Sequence, residues 1–146
     1  MTFFAMRSPR DMFAKAQREH LRLMKVFDID NLFNFFVTAY HIKDYVLHDG
    51  RIKQVALEEF LSDQDMRDCR DLCDKGKHLV LSKRSDPQTT HIHYSGCLGG
   101  APLGAVPLGS SVDNWILTTE ERSIDVQVLA NSVINKWASF LEANGL

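Results

Sequence analysis

Apolar residues return along most of this chain every three or four positions, the beat of helices packed on one side. The first run is Met12, Phe13, Ala16, Leu23, Met24 and Phe27. Ser8, Pro9 and Asp11 precede it with a capping hydroxyl, a proline where the missing donor costs nothing, and early negative charge. A helix is predicted over about 9–27. Asp28 or Asp30 can cap a second, whose run from Leu32 through Phe35, Phe36, Ala39, Ile42 and Val46 to Leu47 leaves little polar surface before Gly50 ends it. So apolar a helix belongs at the centre. Ile52, Val55, Ala56, Phe60 and Leu61 keep helical register over 51–61, and Ser62 or Asp63 can cap the next segment.

From about 63 to 81, Met66, Cys69, Leu72, Cys73, Gly76, Leu79 and Val80 trace a stripe, with Gly76 permitting close approach of a neighbour. The pattern changes after a loop over 82–88. Residues 89–94 have the β-branched and aromatic content of a strand, 95–111 are rich in glycine with two prolines, and 115–119 read as the returning strand. Glu120, Glu121 and Arg122 make a polar turn, and a last helix over about 125–143 carries Val126, Leu129, Val133, Trp137 and Leu141 on one face. The expectation is a mainly α fold: four to five helices in one bundle over 1–146, with a small β-hairpin, the glycine-rich insertion 89–119, before the C-terminal helix.

Composition narrows the function classes. With 146 residues, 45% apolar and 25% charged, the chain suits one globular core. A formal charge of -2 and a pI near 6.3 exclude a chain-wide field for nucleic acid and leave only local clusters such as Lys75, Lys77, Lys83 and Arg84. Three cysteines form no even framework, and Cys69 and Cys73 fall on the buried stripe, so a reducing, cytoplasmic setting is expected. No secretion signal or membrane span is read. Phe3, Phe4, Phe33 and Phe36 are more aromatic surface than one small core hides, which points to a homodimer.

Chemistry concentrates in the string from Arg70 and Asp71 through Cys73, Asp74, Lys75, Gly76 and Lys77 to His78. An arginine followed at once by a polar residue, with a histidine some residues on, in a bundle of this size, resembles the motif of HEPN domains. The resemblance covers about 9–84 and the last helix. It implies a non-catalytic binding or accessory module for a nucleotide, RNA or a protein partner. Lys77, His41 and Asp44 are the binding residues expected of such a module, and no cofactor is expected. The alternative that the resemblance implies is a metal-independent RNase in which Arg70, Asp71 and His78 are catalytic, often at a cleft between two protomers. The strings over 39–45 and in the closing tryptophan helix resemble other bacterial bundle proteins, a likeness that implies no activity.

Along an ideal helix, Arg70 to His78 turns by about 80° and advances about 12 Å, so the pair meets only if the helix bends at Gly76 or a second protomer completes the site. If they meet on RNA, His78 can exchange protons with the 2′-hydroxyl or leaving oxygen, and Arg70 can hold phosphate charge. Read for structure alone, Arg70 pairs with Asp74 one turn on, and His78 complements the helix dipole. Another alternative places His20, His41 and His78 on facing helices as a metal-binding bundle, with Asp44 orienting His41. His91 and His93 project from one face of a strand, a metal-ligating geometry that an exposed strand also explains. The glycines over 96–109 form no phosphate loop, and no Gly-x-Ser-x-Gly elbow is present.

Overall fold

The computed structural model describes residues 4–95 and 111–146, the side chains of 94, 95, 111 and 112 aside. Helix α1 spans Pro9–Lys25 and opens on a reciprocal cap: the Asp11 amide donates to Ser8 Oγ (3.2 Å), and the Ser8 amide donates to Asp11 Oδ2 (2.9 Å). Helix α2, Ile29–Asp49, starts from Asp28, which accepts the Asn31 amide at 2.8 Å, and stops at Gly50, held at φ 79° where only glycine sits without strain. Helices α3 (Gln54–Leu61) and α4 (Gln64–His78) follow, and α5 (Val126–Ala143) closes the chain from its Asp125 cap.

Helix α2 touches all four other helices, as its apolar run requires. Phe35, Phe36, Ala39 and Ile42 are fully enclosed between Ala16 and Leu23 of α1, Met66 and Cys69 of α4, and Val133, Trp137 and Leu141 of α5. At about 25 cal/mol per Å² of apolar area removed from water, this shared interior is the main force holding the bundle. Among the described residues, no helix is long and apolar enough to cross a membrane.

The expected β-hairpin precedes α5. Strands β1 (Gln88–Ser95) and β2 (Ser111–Thr118) pair antiparallel in full register, from Gln88 opposite Thr118 to Ser95 opposite Ser111. A third strand, β3 (Ser123–Asp125), pairs Ile116 with Asp125 and extends the hairpin to a three-stranded sheet. The sequence pattern gave no strand there, because three residues are too few to show a period of two. Leu117 is the one residue of β1 and β2 that the bundle buries completely among those described. The glycine-rich stretch and Cys97 lie outside the described residues.

Strand β2 begins at Ser111, four residues before the strand expected over 115–119, and three helix boundaries also depart from the expectation. Helix α1 stops at Lys25 because Val26 is extended, although Phe27 still packs on the core. Helix α3 begins three residues late, after Lys53, which supplies no side-chain cap. Helix α4 ends at His78, and Leu79 and Val80 are 80% and 60% exposed instead of completing the stripe. Leu79 stands at φ 64°, ψ -46°, and the Val80 amide donates to the His78 carbonyl at 2.6 Å, which is a γ-turn in its rarer, strained form. Asp86 holds the chain beyond it, accepting the Leu81 amide at 3.1 Å and Lys75 at 2.9 Å. The aromatic surplus is also smaller than expected: Phe36 is 1% exposed, while Phe33 and Phe4 remain at the surface and Phe3 lies outside the described residues.

Candidate functional site

The outer face of α4 and the loop that returns from it carry most of the residues singled out by the sequence. Asp71 and Asp74 lie one helical turn apart, and Arg84 reaches back from the loop to bind both: Nε to Asp71 Oδ1 at 2.9 Å and Nη2 to Asp74 Oδ2 at 2.7 Å. Arg70 does not pair with Asp74. Its Nε and Nη2 bond Asp71 Oδ1 at 3.1 and 3.0 Å, so one carboxylate oxygen serves two guanidinium groups. Lys77 stands 3.9 Å from Asp74.

Arg84 forms a partition. On one side, Arg70 lines a cleft of about 150 Å³ with Asp71, Arg67 and the 119–121 turn. On the other, His78 lines a cleft of about 510 Å³ with Asp74, Val80, Leu81, Ser82 and Lys83. Arg84 is the only residue common to both. Arg70 and His78 therefore open onto separate hollows within one chain, and Gly76 does not bend them together. Gly76 accommodates a side chain instead, because a Cβ there would lie 2.6 Å from the Phe33 ring.

The wider cleft has a cationic rim. Asp74 is its one carboxylate and is already bonded to Arg84, whereas Lys83 and His78 have no ion pair among the described residues. Lys75, Lys77 and His78 stand where the negative end of the α4 dipole favours cations, and Lys83 and Arg84 are supplied by the loop. The cluster of Lys75, Lys77, Lys83 and Arg84 visible in the sequence is thus divided: Asp86 takes Lys75, and Lys83 and Arg84 go to the cleft.

The other candidates are occupied locally. His41 donates from Nδ1 to the Val37 carbonyl (2.7 Å), so that nitrogen offers no lone pair to Cys73 Sγ at 3.9 Å. Cys73 is buried, and burial pushes its thiol above the ordinary range, which leaves it without thiolate character. Asp44 binds Lys43 at 2.8 Å rather than orienting His41. His20 Nε2 meets Asn131 Oδ1 at 2.7 Å across α1 and α5, and His78 is exposed at the end of α4. Among the described residues, no three histidine, cysteine or carboxylate side chains are placed to hold one metal ion. His91 and His93 both converge on Asp113 Oδ1, at 3.0 and 2.7 Å, and His91 stacks on Trp115.

A polar clasp at the opposite end of α4 has no counterpart in the sequence pattern. Arg122 donates to Asp65 and Asp68, and Asp65 also accepts Ser132 and, at 2.8 Å, Lys136. Burial alone would raise the Asp65 carboxyl, but the bonds from Lys136, Ser132 and Arg122 outweigh it and bring it down to about 2. An aspartate so acidic is a poor base, and the clasp is structural. Its partners are dispersed over 57 and 67 positions of sequence, which no local motif records.

No protein-family model matches this chain, and no curated protein or solved structure matches it either. Function has to be argued from the clefts themselves.

Proposed function

We propose that this chain is a non-catalytic, HEPN-like binding module that takes a nucleotide phosphate, free or at the end of an RNA strand, in the cleft beside His78. The observation that carries this reading is the lining of that cleft: Lys83, Arg84 and His78 as cationic groups for a phosphate, with Ser82 as a hydroxyl donor and Val80 and Leu81 as apolar surface for base or sugar. Its volume lies within the common range for small-ligand sites. A binding role is favoured over RNA cleavage because Arg70 and His78 line different clefts. Cleavage by that pair would require a second protomer to bring another arginine to His78.

The test is fluorescence anisotropy with a short labelled RNA, with or without a 5′-phosphate, and competition by adenosine monophosphate. The phosphorylated strand binds more tightly, added salt weakens it, and Lys83→Glu, at an exposed position, lowers its affinity at least tenfold. Equal binding of both strands, or an unchanged affinity in Lys83→Glu, removes the proposal. RNA cut in the presence of chelator by the parent protein, but not by a folded His78→Ala variant, would replace it with the RNase reading.

A further inference from the structure

We propose that the groove between α3 and α5, whose described lining residues are distinct from those of the His78 cleft, docks a basic amphipathic helix of a protein partner. The groove measures about 990 Å³. Its floor is a pair of rings, Phe60 and Phe140, stacked at 4.2 Å and 19° and braced from beneath by the buried Trp137. Ala56 and Ser139, both small and exposed, leave the space above the rings open. Helix α3 adds only Leu57 to the fully buried core, so the helix is held largely as a wall.

Charge decides what fits. Among the described residues, Lys136 is the only cation that lines the groove, and its ammonium is tied to Asp63 at 2.6 Å and Asp65 at 2.8 Å. Glu59 has no ion pair among the described residues, and it sits in the C-terminal half of α3, where the helix dipole adds to its negative potential. An apolar floor beside the Glu59 carboxylate matches a segment with leucine-like anchors on one face and lysine or arginine beside them, whose cations also favour aromatic ring faces. The secondary structure of the occupant follows from hydrogen bonding. Both walls are helices with their own backbone bonds made, so they offer no ladder to an extended strand, which favours a partner that satisfies its backbone internally.

The probe is a labelled fourteen-residue leucine–lysine amphipathic helix, titrated by anisotropy against the full chain. A leucine–glutamate counterpart serves as the control. The basic helix binds and the acidic one does not. Ser139→Arg, which blocks the groove at an exposed position, and Glu59→Lys each weaken binding at least tenfold, whereas the same charge reversal at exposed Asp30 of α2 leaves it within twofold. Circular dichroism confirms that each variant is folded. No binding of the basic helix, equal binding of the acidic one, insensitivity to Glu59→Lys and Ser139→Arg, or an equal loss in Asp30→Lys overturns the proposal. Lys83→Glu leaves this binding unchanged, which separates the outcome from that of the phosphate cleft.

Discussion

At the residue scale, two side chains sit against the usual preferences of their types. Leu79 occupies a backbone region that costs a non-glycine residue about 1–3 kcal/mol, and with 80% of its surface exposed it recovers little by packing. Leu79→Gly removes that strain and gives back about 0.5–1 kcal/mol in unfolded-chain entropy. A net gain of about 1 kcal/mol in urea denaturation is expected. Trp137 is fully enclosed, yet its indole N–H has no hydrogen-bond partner among the described residues. Trp137→Phe loses ring area but also relieves an unsatisfied donor, so its cost stays near 1–2 kcal/mol, below the roughly 3–5 kcal/mol of Trp137→Ala. Thermal melts of the two variants check the difference.

Among the elements, the clasp of Arg122 with Asp65 and Asp68 fixes the sheet to α4 and, through Ser132 and Lys136, to α5. Arg122→Met leaves two enclosed carboxylates short of a cation and is expected to cost about 2–4 kcal/mol. The pH dependence has a definite sign. Asp65 ionises near 3.8 when unfolded and near 2 when folded, so its contribution of about 2 kcal/mol is complete above pH 4–5 and is lost as pH falls through 2. In Arg122→Met, acid unfolding begins at higher pH. Such features mark the limit of what the sequence discloses. The five helices were legible because each carries its own periodic stripe and all but α3 have a nearby cap, as Ser8, Asp28, Gly50 and Asp125 show. The early end of α4 was not, because Leu79 and Val80 continue the apolar period and only contacts with Asp86 and the γ-turn divert them. Of the candidate site, His78 and the Lys83–Arg84 pair were visible as residues. The partition that separates Arg70 from His78 depends on Arg84 folding back across 10 and 13 positions to Asp74 and Asp71.

In the molecule as a whole, the sheet is moored to the bundle at few points. Leu117 is fully enclosed, Trp115 and Ile124 only partly, and Thr90, His91 and His93 of β1 are exposed. Leu117→Ala is therefore expected to cost about 2–5 kcal/mol. Hydrogen exchange will show protection lost first in β1 and β2 while α2 and α5 keep theirs. Arg84 has a consequence of another kind. Because it is the wall shared by two hollows, a guest that draws its guanidinium away from Asp71 and Asp74 on one side alters the shape and charge met by a guest on the other. Two such guests would trade affinity by the same factor in both directions, so that either could report the presence of its neighbour.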